Sequence, residues 1–92
     1  MSVKPLGQQN AQEESDLQEP AKVILFNDEV HTFEEVIAQI MKATGCPQAR
    51  AEELTWEVHS SGKAVVFTGE MHRCIEVSSI LEEIMLMTQI EV

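Results

Sequence analysis

Val23-Ile24-Leu25-Phe26-Asn27-Asp28-Glu29 is the stretch on which the fold turns. Four apolar residues, three of them β-branched or aromatic, are too few for a buried helix and are bounded by Pro20 and Asn27, so they read as a buried strand. The strand stops at the surface because Asn and Asp favour turns over strand interiors. An Asn-Asp pair by itself is only a turn. His59, which closes a later helical stretch, is expected to add a third polar group at the same place. An amide oxygen, a carboxylate and a neutral ring nitrogen are three acceptors, which suits a ligand with several N–H donors on one positive nitrogen. An α-amino group is such a ligand, with a pKa of about 7.7 to 8.0. The triplet therefore predicts capture of a peptide N-terminus.

Upstream, residues 1–20 (MSVKPLGQQNAQEESDLQEP) scatter single apolar residues among Gln, Glu, Ser and Pro with no period. Such a segment buries too little surface to offset its ordering entropy and reads as a flexible acidic N-terminal arm. Residues 21–92 form one small domain, near the lower size at which a core is self-sufficient without metal or disulfide.

Downstream, Thr32-Phe33-Glu34-Glu35 has capping-box spacing and opens a helix. Phe33, Val36, Ile37, Ile40 and Met41 give it one apolar stripe, and Gly45 stops it. Pro47 suits the first turn of a second helix, in which Ala51, Leu54, Thr55 and Val58 share a side until Gly62. His59 sits in its last turn, where the helix terminus favours imidazolium while an acceptor role needs the neutral ring. Ala64 to Thr68 reads as a second strand. After Gly69, Met71, Cys74, Ile75, Ser78, Leu81 and Met85 trace the expected inner face of a third helix. Thr88 to Val92 alternates as a closing strand with Ile90 and Val92 on one face. Met41, Met71, Met85 and Met87 read mostly as core filler. Trp56 falls off the inner stripe and reads as a partly exposed lid over the helix pair. The expected class is α+β, a single domain in the order β-α-α-β-α-β, with a three-stranded, mostly antiparallel sheet carrying three helices on one face.

Charge narrows the partners. Six Lys and Arg face sixteen Asp and Glu, a formal net charge of −10. Nucleic acid and anionic membrane surfaces would be repelled, whereas ammonium-bearing ligands are favoured. Cys46 and Cys74 lie far apart without CxxC spacing, and no basic and apolar leader precedes the domain, so a reduced, cytoplasmic setting is expected. No apolar stretch approaches the roughly 18 residues of a membrane span.

With these residues in view, Val-Ile-Leu-Phe-Asn-Asp-Glu at 23–29, the Thr-led helix with Glu35 and Val36, Val58-His59, and Gly-Lys-Ala at 62–64 together resemble the ClpS family of N-degron adaptors. The resemblance implies a non-enzymatic, cofactor-free adaptor domain over 21–92 that binds proteins beginning with Leu, Phe, Tyr or Trp. It implies delivery of them to a AAA+ unfoldase of the ClpA or ClpC type. By position it assigns Asn27, Asp28 and His59 to the substrate α-amino group and first peptide unit. Phe33, Val36, Thr55 and Val58 line the pocket for the first side chain, and Glu70 contacts the unfoldase. It also implies that the unfoldase engages the arm 1–20. The chain departs from the family pattern in having Phe33 and Thr55 where many members have Met, His31-Thr32 in place of Thr-Pro, and Ile75-Glu76 where a docking Lys is expected.

Other readings compete. One is a small acidic protein-interaction domain that uses a helix face, with Asn27-Asp28 as a plain turn. Another is a zinc site from Asp28, His31 and His59, whose side chains are competent ligands but lack a spacing that helical geometry rewards. Ser60 and Ser61 offer no catalytic triad beside His59, since neighbours in sequence do not present a nucleophile to its base.

Overall fold

The computed structural model describes residues 20–92. The expected arm, residues 1–20, lies outside them apart from Pro20. Six elements follow in the order β1 (Ala21–Phe26), α1 (Phe33–Thr44), α2 (Gln48–Ser61), β2 (Lys63–Gly69), α3 (Met71–Glu82) and β3 (Thr88–Glu91). The sheet order is β2-β1-β3, with both pairings antiparallel, so the first strand occupies the centre. That position explains its composition, because Val23 and Leu25 face the helices while Ile24 is also buried. A register shift between Val23 and Ile24 marks a bulge against β2.

Three helices cover one face of this sheet. Thr32 caps α1 as its spacing predicts: its hydroxyl accepts from the Glu35 amide at 3.1 Å, and the Glu35 carboxylate accepts from the Thr32 amide at 2.8 Å. Ile40 and Ala43 are buried, with Val36, Ile37 and Met41 packed against the core. Gln39 joins this buried face at 8% exposure, and its side-chain amide donates to the Ile80 carbonyl of α3 at 2.6 Å. Ala51, Leu54, Thr55 and Val58 form the inner side of α2. Pro47 stands at the N-cap, one position before the helical turn expected for it. Gly62 ends the helix at φ 90°, a left-handed conformation that a residue with a Cβ adopts only under strain.

The inner face of α3 differs from the expected one. Cys74, Val77, Ser78 and Leu81 are buried, whereas Met71 and Ile75 are exposed. Once Cys74, Ser78 and Leu81 fix the stripe, position 77 falls three residues from the first of them and shares their side; position 75 is rotated about 100° away. Met85 lies past the helix, 84% exposed. Its φ of 70° turns the chain so that Leu86 is buried behind it. Met71, Met85 and Met87 are therefore surface residues rather than core filler, and only Met41 packs against the core. Val92 lies beyond β3 and is exposed, so it does not share a buried face with Ile90. Cys74 is buried and Cys46 half-buried, both as free thiols. No helix among the described residues is long and apolar enough to cross a membrane.

Candidate functional site

The end of β1 and the end of α2 meet because one hydrogen bond joins them. Gly62 closes α2 by donating to the Val58 carbonyl, and its own carbonyl accepts from the Asn27 amide at 2.9 Å. The residue that stops the first strand is thereby tied to the turn three residues past His59. On the other side of β1, the Phe26 amide donates to the Met87 carbonyl at 3.0 Å, which draws Leu86 inward. A hollow of about 130 Å³ lies among these segments. For scale, a cavity of roughly 150 Å³ accommodates a benzene ring.

All seven residues that the resemblance assigned to substrate binding line this one hollow. Asn27, Asp28 and His59 supply its polar part; Phe33, Val36, Thr55 and Val58 belong to its helical wall. The buried Thr55 donates its hydroxyl to the Ala51 carbonyl at 2.7 Å, so its methyl is the part left for an apolar guest. Leu25, Phe26, Glu29, His31 and Leu86 complete the lining and were not among the expected pocket residues. Nothing local announces Leu86, which arrives from the other end of the chain. His31 carried a weak signal, since three residues after Asp28 is the spacing of a turn that a carboxylate closes.

Asp28 is more occupied than a free surface carboxylate. Its Oδ1 accepts from the amides of Val30 (2.9 Å) and His31 (3.0 Å), and its Oδ2 faces His31 Nδ1 at 2.8 Å. Burial pushes the carboxyl up, but those two amides and the His31 ring outweigh it and hold Asp28 below the usual carboxylate range. The bond to Asp28 raises His31 above the ordinary imidazole value against desolvation, and the Ile84 carbonyl at Nε2 adds to it. With an acceptor at each nitrogen, His31 is served best as imidazolium. It thus ties the polar loop to the turn after α3. Three donors on a carboxylate with about four lone-pair sites leave room for one more. The Asn27 carboxamide and the His59 ring make no hydrogen bond among the described residues, so both remain open to a ligand.

At the mouth, three aromatic rings meet edge to face. Phe33 lies 4.7 Å from Trp56 and 5.2 Å from His59 between ring centroids, and Trp56 lies 6.0 Å from His59. Trp56 thus bridges the two helices as a lid would, yet remains 60% exposed. The three residues of the competing zinc reading share the hollow without forming a metal site: among the described residues no three His, Cys, Asp or Glu side chains are placed to hold a metal. Both ring nitrogens of His31 face other acceptors, and His59 packs in the aromatic group. Ser60 donates its hydroxyl to the Trp56 carbonyl at 2.8 Å instead of to His59. Glu70 stands outside this site, at the N-cap of α3 beside the strand end where Gly69 pairs with Ala21. The hollow lies at the other end of β1, roughly 17 Å away at about 3.3 Å per strand residue.

Fold and site together define a small α+β domain whose polar loop and two-helix wall border one hollow. The family described as ATP-dependent Clp protease adaptor protein ClpS matches residues 16–89. The chain belongs to the ClpS family, a family of adaptors. Human E3 ubiquitin-protein ligase UBR2 is 38% identical over 58 residues, 63% of this chain and 3% of that protein. The ATP-dependent Clp protease adapter protein ClpS of Thermosynechococcus vestitus is 45% identical over 49 residues, 52% of each chain. The chain thus spans about half the length of the bacterial relative and a small fraction of the human one. A solved structure of Agrobacterium tumefaciens ClpS2 bound to L-phenylalaninamide superposes with a TM-score of 0.68 at 23% identity. It covers 79% of this chain and 95% of that one, and shows the same fold.

Proposed function

We propose that this chain binds the free α-amino group and large hydrophobic first residue of a protein, Leu, Phe, Tyr or Trp, and delivers it to a ClpA- or ClpC-type AAA+ unfoldase in the cytoplasm. It acts by binding, without catalysis. The observation that carries the reading is that a paired carboxylate, an open carboxamide and an open imidazole border the same hollow as Val36, Thr55 and Val58. The ammonium sits against Asp28, Asn27 and His59, while the first side chain fills the hollow. Burying that side chain contributes about 1.5 to 3 kcal/mol, and charge-assisted hydrogen bonds to the ammonium a comparable amount. Neither half suffices alone, so an internal segment, which lacks the ammonium, binds weakly. The phenylalaninamide held by the Agrobacterium relative carries both features, a free α-amino group and an apolar side chain.

Delivery needs a second surface that substrate leaves open. The exposed Glu70, a strand's length from the hollow, is the proposed unfoldase contact, and the arm 1–20 is the segment the unfoldase would engage. Titration of a peptide beginning with Leu or Phe, labelled at its C-terminus, against its N-acetylated twin tests the capture step. The free form should bind at least roughly tenfold tighter, the loss of one charge-assisted bond. Equal affinity would remove the adaptor reading.

A further inference from the structure

Met85 follows α3 in a left-handed conformation that is unfavourable for a residue with a Cβ, and its side chain, out in water, does little to offset that. The turn is held through its peptide groups instead. The peptide unit joining Ile84 to Met85 is gripped on both sides: its N–H donates to the Glu82 carbonyl at 2.9 Å, and its carbonyl accepts from His31 Nε2. Two residues beyond Met85, the Met87 carbonyl accepts from the Phe26 amide. Leu86, between these anchors, is buried and lines the hollow. One wall of the hollow thus depends on a bond from the polar loop, and the other nitrogen of the same ring lies 2.8 Å from Asp28 Oδ2.

We propose that His31 is a positioning residue: as an imidazolium it bridges Asp28 and the Ile84 carbonyl, seats Leu86 against the hollow, and disfavours the largest first side chains until it loses its proton. The inference rests on the capture reading above and adds to it a control of first-residue size. A neutral ring keeps one N–H. The carboxylate, as the charged acceptor, takes it, which leaves a lone pair facing the Ile84 carbonyl and breaks that bond. The Ile84–Met85 peptide then rotates, Met85 leaves its left-handed conformation, and Leu86 withdraws. Closed, the hollow of about 130 Å³ suits a phenyl or leucyl side chain, whereas an indole needs the latch open. Opening breaks a hydrogen bond from a charged donor, worth roughly 10- to 150-fold, and the release of Met85 offsets part of it, so Trp should lose about tenfold relative to Leu. Around the ring, Asp28 and Glu35 of α1 favour the cation while desolvation opposes it, and Glu83, beside Ile84, is paired with Lys42. Glu29 and His59 line the same hollow. They act on the ammonium of every peptide alike and cancel from a ratio of two first residues.

Titrations with Trp-initiated and Leu-initiated peptides, each free and N-acetylated, test it on the full chain. The readout is the ratio of Trp to Leu affinity, from which a general loss of loop order or of ammonium charge cancels. In the natural chain the ratio should be low at acid pH and rise about tenfold as pH increases above about 6.5 and the ring loses its proton. His31→Asn, too short to span both acceptors, should show the raised ratio at every pH. Adding Met85→Gly, which adopts the left-handed turn freely, should lower the ratio again in that background. A ratio that does not move with pH in the natural chain, with free peptides still favoured over acetylated ones, overturns the latch alone and requires no variant to fold. A ratio that His31→Asn leaves unchanged, or that Met85→Gly leaves raised, overturns it as well. Equal binding of free and acetylated peptides overturns the capture reading and the latch with it.

Discussion

Asp28→Asn isolates the charge at the centre of the site with little change in shape. The loop leans on Oδ1, which takes the Val30 and His31 amides, and an asparagine retains that oxygen. Oδ2 becomes an NH₂ group facing His31 Nδ1, formerly 2.8 Å from a carboxylate oxygen, so His31 must present a bare nitrogen there or turn away. Under the proposed function the substrate ammonium meanwhile loses its anionic partner. A hydrogen bond to a charged group is worth about 1.5 to 3 kcal/mol, or roughly 10- to 150-fold in Kd. His31 already offsets part of the Asp28 charge, and the Asp28 side chain is 28% exposed, so the lower end applies. The expected loss is about tenfold. Fluorescence anisotropy with a Phe-initiated peptide measures it, and a thermal melt reports whether the loop has survived. A Kd within about twofold of the natural chain's, with the melt unchanged, would refute the role given to Asp28.

Gln39→Ala removes the buried amide that links α1 to α3 at Ile80, and should cost about 1 to 3 kcal/mol. In a domain of this size each kcal/mol lowers the melting temperature by about 4 to 8 °C, so an unchanged melt would show the bond to be dispensable. His31 has its pKa raised by folding, so its stabilising contribution is complete below its unfolded value of about 6.5 and is lost as pH rises through the higher folded value. The stability difference between the natural chain and His31→Asn, measured by urea unfolding, should therefore shrink as pH rises above about 6.5; a constant difference would mean that the imidazolium does not latch the loop.

Much of the fold was legible because its signals are local. The β1 run, the Thr32–Glu35 capping box, the α2 inner face and the left-handed glycine at 62 each follow from a few adjacent residues, and the structure has them where expected. The α3 face was misread for an instructive reason. Met71, Ile75 and Met85 are apolar enough to complete a stripe, but burial is decided by what the sheet covers, and it covers Val77 instead. The candidate site was legible as a set of residues rather than as an arrangement. Asn27, Asp28 and His59 declared themselves by chemistry and resemblance, and the structure brings all three to one hollow. Its supporting contacts did not, because they cross long stretches of chain. His31 reaches the Ile84 carbonyl 53 residues away, and Leu86 enters the hollow only through the pairing of Phe26 with Met87. Trp56 showed itself as a residue off the stripe; its place at the mouth follows from how α1 and α2 pack.

The central claim is that a charged chain start and an apolar first side chain are held together in one place. A crystal structure of the chain with a Phe-initiated peptide tests it most directly. The α-amino nitrogen should lie about 3 Å from the Asp28 carboxylate, with the phenyl ring between Val36, Thr55, Val58 and Leu86. A peptide lying elsewhere, with that hollow empty, would contradict the account.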